Sequence, residues 1–103
     1  MALELPYTNA AGVEAKEAYN RIENVYYRYS DGHSRVYVSV YLSGRLAVQG
    51  ADPIDTYSTD FTMNLRVNQN IAEQAYNAVK TKSIVTDAKG RQKNMDYSKA
   101  KDV

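Results

Sequence analysis

The sequence lacks most of the residue types that stabilise small proteins by cross-links or metals. Its 103 residues include no cysteine, no tryptophan and one histidine, His33. The missing cysteines exclude disulfides, and a lone histidine removes most metal sites, so we expect no metal and no cofactor. A single domain of this size buries only about two thirds of its unfolded surface. Association with other subunits is therefore the expected source of additional stability.

Long apolar runs and common nucleotide- or metal-binding motifs are also missing. No run approaches the length of a membrane span, and the N-terminus MALELPYTNA lacks the basic start and apolar stretch of a signal peptide. No phosphate-binding loop, dinucleotide-binding, zinc-protease or EF-hand pattern occurs. We predict a protein that does not enter the membrane and has none of these sites.

The carboxylates Asp52, Asp55 and Asp60 come nearest to a catalytic set, since paired carboxylates serve as acid and base in hydrolysis. Asp52 precedes Pro53 in a predicted turn, and Asp60 falls on the predicted solvent face of a strand. His33 falls in a predicted hairpin turn, where it would have no nucleophile to activate. We predict that the protein is not an enzyme and has no catalytic residues.

Charge is unevenly distributed, although the net charge is only +1. Residues 1–79 hold six basic and nine acidic residues, whereas residues 80–103 hold seven basic and three acidic residues. A basic terminus is typical of nucleic-acid-binding arms, but acidic residues interrupt this one. We favour a solvated or partner-docking tail over residues 83–103. Residues 1–12, which contain Pro6 and Gly12, are predicted to form an extended arm.

A tyrosine-rich β-hairpin is the strongest structural signal. Residues 21–29, RIENVYYRY, and residues 35–42, RVYVSVYL, are rich in β-branched and aromatic residues and flank the turn dipeptide Asp31-Gly32. Alternate residues of the second strand form a valine face and a tyrosine face: Val36, Val38, Val40 and Leu42 against Tyr37, Ser39 and Tyr41. We predict that the valine face packs in the core.

The remaining pattern predicts an α+β domain over residues 13–82. Residues 54–65 alternate as a further strand, and residues 70–80 carry the apolar stripe of an amphipathic helix. The predicted fold is a three-stranded antiparallel β-meander with one packed helix and extended N- and C-terminal arms. Around the turn at residues 87–90, the pattern leaves a small hairpin and a disordered tail both open.

Tyrosine is abundant, with ten residues against one phenylalanine. A dry core favours phenylalanine, which has no hydroxyl to satisfy, whereas tyrosine is enriched at protein interfaces. We predict a protein-interaction surface formed by Tyr26, Tyr27, Tyr29, Tyr37 and Tyr41. The alternative is a small single-stranded nucleic-acid-binding module, in which these rings stack on bases and arginines bind phosphates. The near-neutral charge disfavours it.

The order of short motifs resembles a group of small phage and prophage proteins encoded among virion structural genes. An AY-x-RI-x-x-V strand is followed by a strand of valine and tyrosine, a G-x-x-P-I connection and a QAY helix. The matching residues are Ala18, Tyr19, Arg21, Ile22 and Val25, then Val38, Val40 and Tyr41, then Gly50, Pro53 and Ile54, then Gln74, Ala75, Tyr76 and Lys80. The resemblance spans residues 18–82 and the terminal Asp102-Val103, and departs from the group in the basic segment between them.

The resemblance implies a structural protein of a virion, made in the host cytoplasm and placed on a tail, baseplate, collar or capsid. Its implied partners are other virion structural proteins and further copies of itself in a homo-oligomer, with neither a membrane nor nucleic acid as an expected partner. It also implies a strand from about Ala18, where the residues alone leave helix and strand open. It implies no activity and no cofactor.

Overall fold

Strands make up most of the regular structure in the computed structural model, which describes residues 2–9, 11–28, 32–62 and 71–103. The strands are β1 (Leu3–Thr8), β2 (Glu14–Tyr27), β3 (His33–Tyr41), β4 (Asp55–Thr62), β5 (Ile84–Asp87), β6 (Gln92–Asn94) and β7 (Lys101–Asp102). The helices are α1 (Gly44–Val48) and α2 (Ile71–Lys80), and a 3-10 turn spans Tyr97–Lys99.

These strands form one antiparallel sheet in the order β6-β5-β4-β3-β2-β1-β7. Strands β1 to β4 are a meander, and after α2 the chain returns as the β5-β6 hairpin beside β4. Strand β7 pairs with β1 on its other side, at Leu3 and Glu4. The sheet curls into a half-barrel. As a result, Lys93 Nζ of β6 lies 2.9 Å from Tyr7 Oη of β1, although four strands separate β6 from β1 in the sheet order.

Strand alternation directs one row of side chains from each strand into the half-barrel. In β3 the buried residues of this inner row include Val36, Val38 and Val40, and Tyr57 of β4 lies opposite Val38. Helix α2 contributes Ala75, Tyr76 and Val79 to the same buried cluster. The amphipathic helix therefore packs against the inner face of the sheet.

The segment after α2 supplies the largest fully buried side chain, that of Tyr97. The Tyr97 hydroxyl donates a hydrogen bond to Oδ1 of the buried Asn20 at 3.1 Å. Burial raises the pKa of Tyr97, because a phenolate would lose its hydration in this position. Val85 and Met95 belong to the same cluster, so the C-terminal residues form part of the core.

The predicted three-stranded meander with one packed helix and extended arms is wrong. The N-terminal arm is instead strand β1, in which Leu3, Leu5 and Tyr7 alternate into the core. Pro6 is accommodated because the ladder with β2 shifts register between Leu5 and Tyr7, where a missing N–H does little harm.

The C-terminal arm is likewise part of the sheet. Residues 84–87 and 92–94 pair as β5 and β6, and residues 101–102 pair with β1. The small hairpin that the pattern left open around residues 87–90 is therefore formed by β5 and β6. The pattern gave no sign of β7, which has only two residues. These elements are held by buried residues such as Val85, Met95 and Tyr97, whose partners lie elsewhere in the chain. Residues 63–70 lie outside the described residues. They include the last three residues of the predicted third strand and the first residue of the predicted helix.

Candidate protein-interaction surface

The outer face of the half-barrel carries the β2 and β3 side chains that point away from the core. Near the hairpin end, Tyr26 lies opposite Arg35, and Asn24 lies opposite Tyr37. The β2 ladder shifts register between Ile22 and Asn24, and this irregularity sets which of the following β2 side chains face outward. Tyr26 and Tyr37 are therefore diagonal neighbours on the outer face, within reach of each other.

Tyr26 and Tyr37 form an edge-to-face aromatic pair. Their ring centroids are 5.6 Å apart and the ring planes meet at 78°. The Tyr26 side chain is 64% exposed, whereas Tyr37 is half-buried. Tyr37 thus packs against the Tyr26 ring, which remains accessible from solvent.

An ion pair flanks this aromatic pair. Arg35 Nε donates a hydrogen bond to Asp60 Oδ1 at 2.8 Å, and His33 Nε2 lies 3.8 Å from Asp60 Oδ2. The hydrogen bond from Arg35 lowers the pKa of Asp60, and the same contact raises the pKa of Arg35. Because the side chains are about half exposed, solvent screens the pair and its contribution to folding is small. We call Tyr26, Tyr37, Arg35 and Asp60 the hairpin surface.

An open cavity of about 330 Å³ lies beside the hairpin surface, lined by Tyr26, Tyr27, Arg28, His33, Arg35 and Tyr37. Its lining combines the outward rings of Tyr26 and Tyr37 with three residues that carry or can acquire positive charge. A second cavity of about 350 Å³ shares Arg35 and extends the recessed surface toward β5.

The structure brings two of the five predicted tyrosines together on the outer face, Tyr26 and Tyr37. Tyr27 borders the same cavity, but it lies opposite the buried Ser34, in the row of β2 that faces inward. Tyr41 lies apart from them and is only 5% exposed. Tyr29 lies outside the described residues.

Tyr41 is buried because other groups pack over its end of β3. Its hydroxyl donates to Glu23 Oε1 at 2.8 Å and accepts from Arg21 Nη2 at 3.0 Å, and the Arg21 guanidinium lies 5.0 Å above its ring. Helix α1 packs against β2 and β3. Burial raises the pKa of Tyr41. Alternation along β3 groups Tyr41 with Tyr37, but it carries no information about these covering groups.

A second polar cluster, inside the half-barrel, was missed by sequence reasoning. The Tyr7 hydroxyl donates to Asp55 and is hydrogen-bonded to the Tyr57 hydroxyl. Lys93 Nζ donates to Tyr7 Oη at 2.9 Å. Burial is the main cause that raises the pKa of Tyr7, and its hydrogen bond to Asp55 adds to this. Tyr7 and Lys93 are 86 positions apart, in the predicted arm and the predicted tail, so no local pattern connects them.

The carboxylates considered for catalysis do not form a set. Asp55 faces inward opposite Val40, whereas Asp60 faces outward opposite Arg35. Asp52 is exposed in the connection between α1 and β4. The sheet therefore separates the two strand carboxylates onto opposite faces.

Within residues 2–9, 11–28, 32–62 and 71–103, no three His, Cys, Asp or Glu side chains are grouped closely enough to hold a metal ion. None of the helices in this part of the chain is long and apolar enough to cross a membrane. The chain matches no protein-family model, no curated protein and no solved structure.

Proposed function

We propose that this protein is a non-enzymatic structural component of a phage particle, which binds copies of itself and neighbouring virion proteins through the hairpin surface. The exposed Tyr26 ring, supported by Tyr37, is the observation that carries the interaction. The phage assignment rests on the order of motifs over residues 18–82. Terminal arms have no part in the proposal, because residues 3–8 and 101–102 lie in the sheet.

Tyr26 offers the kind of contact that dominates protein interfaces. Full burial of a large apolar or aromatic side chain gains roughly 1.5–3 kcal/mol, and tyrosine is enriched among residues whose truncation weakens binding strongly. Contact with Tyr37 restricts the Tyr26 ring before any partner arrives. Less conformational entropy is then lost on binding, so more of the burial energy appears as affinity.

The charges beside the aromatic pair favour a defined orientation of the partner. Arg35 and Asp60 lie side by side on neighbouring strands, with opposite charges. In a two-fold contact between copies, the same patch meets itself in reverse. Arg35 of one copy would then face Asp60 of the other, which makes the surface complementary to itself.

Sedimentation analysis over a wide concentration range tests the interaction. We expect the wild-type protein to associate, and Tyr26→Ala to weaken association about tenfold or more, since loss of about 1.4 kcal/mol corresponds to tenfold in affinity. The urea midpoint of Tyr26→Ala should stay close to that of the wild type, because the ring is mostly exposed. Val48→Ala is the matched control, since it truncates an 81% exposed apolar residue in α1, beyond the opposite end of β3.

A wild-type protein that remains monomeric at every concentration would contradict self-association, and unchanged association of Tyr26→Ala would contradict the role of the ring. Virion location has a separate test, which is mass spectrometry of particles purified from the host that carries the gene. The protein should be present in many copies per particle. Its absence from washed particles would exclude a structural role in the virion. The hairpin surface would then require a partner other than a virion protein.

A single-stranded nucleic-acid-binding module is the second candidate, and the composition of the cavity favours it. Arg28, His33 and Arg35 line the same cavity as Tyr26 and Tyr37, and a combination of aromatic and basic residues is typical of base stacking and phosphate contact. Asp60 pairs with Arg35 and offsets its positive charge, which disfavours phosphate binding at this position. Fluorescence anisotropy with a single-stranded oligothymidine at low and moderate salt separates the candidates, because phosphate contacts weaken steeply as salt rises.

A further inference from the structure

The half-barrel leaves a cleft between β1 and β6. Strand β7 pairs with β1 at Leu3 and Glu4, and among the described residues no strand pairs with the outer edge of β1 from Leu5 to Thr8. Strand β6 and the 3-10 turn lie across from this edge. The space between them has a volume of about 400 Å³, and we call it the β1–β6 cleft.

The walls of the β1–β6 cleft are largely apolar, and its charged lining residues are Lys93 and the ion pair of Lys99 with Asp96. Leu5, Tyr7 and Met95 are each at least nine-tenths buried, and they line it together with Lys93 and Lys99. Small-molecule sites commonly have volumes of about 300–1,000 Å³ and combine apolar walls with a few polar groups that orient the ligand. The cleft has both the size and the composition of such a site.

Lys93 is the polar group best placed to orient a ligand. Its ammonium donates to Tyr7 Oη at 2.9 Å and lies 4.5 Å from the centroid of the Tyr7 ring. No carboxylate oxygen of the described residues lies within 4.0 Å of Lys93 Nζ, whereas Lys99 has Asp96 at 3.7 Å. Asp55 is linked to Lys93 through the Tyr7 hydroxyl, which donates to Asp55 and accepts from Lys93. An ammonium group has three donors, so Lys93 keeps donors for a further acceptor and has no carboxylate in direct contact.

We propose that the β1–β6 cleft binds a small organic carboxylate with an apolar body. The ligand carboxylate accepts a hydrogen bond from Lys93 Nζ, and its apolar part contacts Leu5 and Met95. Charge complementarity selects the carboxylate, because the cleft presents Lys93 without a direct counter-ion. An apolar ammonium compound would meet the charge of Lys93 instead, whereas Asp96 offsets the charge of Lys99 at 3.7 Å.

Three probes with the same apolar chain and different head groups test the proposal: octanoate, octanol and octylammonium. Titration of the full-length protein followed by NMR measures both affinity and location. We expect octanoate to bind most tightly and to shift resonances of residues 5–8 and 93–99. Lys93→Gln should weaken octanoate binding about tenfold or more, because it removes a charged hydrogen bond. Lys89→Gln is the matched control, since it removes the same charge from the exposed β5–β6 turn.

Equal affinity for octanoate and octylammonium would overturn the proposal, because the head group would then not be recognised. Octanoate shifts that map away from residues 5–8 and 93–99 would overturn it as well. If Lys93→Gln does not fold, the comparison of the three head groups on the wild-type protein still decides the question. Failure of the hairpin surface to support association would not affect this result, since none of its four residues lines the cleft.

Discussion

Replacing Tyr97 with phenylalanine removes one buried hydrogen bond and leaves the ring in place. The Tyr97 hydroxyl donates to Asn20 Oδ1 at 3.1 Å, and both side chains are 0% exposed. Asn20 also donates from Nδ2 to the Ala18 carbonyl at 3.1 Å, so its amide has a fixed orientation. In Tyr97→Phe the Asn20 oxygen loses its donor in a place that water does not reach.

The burial of this hydrogen bond sets the expected loss of folding free energy in Tyr97→Phe. A buried acceptor left without a partner costs about 1–3 kcal/mol, and a domain of this length has a total stability of roughly 5–15 kcal/mol. For a domain of this size, a loss of 1 kcal/mol lowers Tm by about 4–8 °C. We therefore expect Tm to fall on the order of 10 °C, with the folded state still populated at room temperature.

Urea unfolding followed by circular dichroism measures the change. The control is Tyr26→Phe, which removes a hydroxyl from a 64% exposed ring and should change stability by no more than about 0.5 kcal/mol. A double variant, Tyr97→Phe with Asn20→Leu, replaces both partners by apolar groups. It should be less destabilised than the two single variants predict by addition, because neither partner is left unsatisfied.

Unfolding of Tyr97→Phe at the same urea concentration as the wild-type protein and the control would refute this expectation. That result would mean that Tyr97 is not buried against Asn20. The C-terminal segment would then be a solvated tail, as the sequence pattern alone suggests, and not part of the core.

Two further predictions concern the ionisation of Tyr97 and the packing of Tyr41, another buried tyrosine. Burial raises the pKa of Tyr97 above its ordinary value of 10.0, so the stability from this group is fully present below about pH 10 and falls as pH rises further, by up to about 1.4 kcal/mol per pH unit. Urea midpoints measured between about pH 9 and 11 should fall less steeply for Tyr97→Phe, and equal slopes would refute the assignment. Tyr41→Ala should lower the free energy of unfolding by about 3–5 kcal/mol, the usual cost of truncating a buried aromatic residue. Tyr41→Phe should cost only about 1–2 kcal/mol, because it keeps the ring and loses the contacts to Glu23 and Arg21. Equal unfolding midpoints for the two Tyr41 variants would show that packing of the ring is unimportant.

Local pattern left helix and strand both open for the first half of β2. It was sufficient for the hairpin formed by β3 and the second half of β2, and for helix α2. Both elements carry long apolar-polar periodicities that show through a single sequence, and Gly32 adopts the positive φ of 74° for which glycine is suited. Pattern was insufficient for β1, β5, β6 and β7. Each is short, and each depends on neighbours distant in the chain, such as Asn20 for Tyr97.

For the candidate surface, too, local pattern was sufficient for some residues and insufficient for others. Sequence reasoning identified Tyr26 and Tyr37, because the tyrosine content and strand alternation are local properties. It grouped Tyr41 with them, although Arg21 and Glu23 bind the Tyr41 hydroxyl and bury the ring. It had no means of relating Tyr7 to Lys93, since their contact exists only where the sheet curls back on itself.

By itself, the sequence determined that the chain contains a tyrosine-rich β-hairpin, that it forms no disulfide, and that its valine-rich strand has one apolar face. These properties follow from residue type and short-range periodicity. The sequence did not determine the extent of the sheet, which has seven strands where three were predicted. The tertiary structure alone decided that both terminal segments belong to the sheet, which tyrosines remain accessible, and that a cleft with Lys93 lies between β1 and β6. The physical reason is that burial and pairing of these residues depend on side chains far apart in sequence, which meet only after the seven strands curl into a half-barrel.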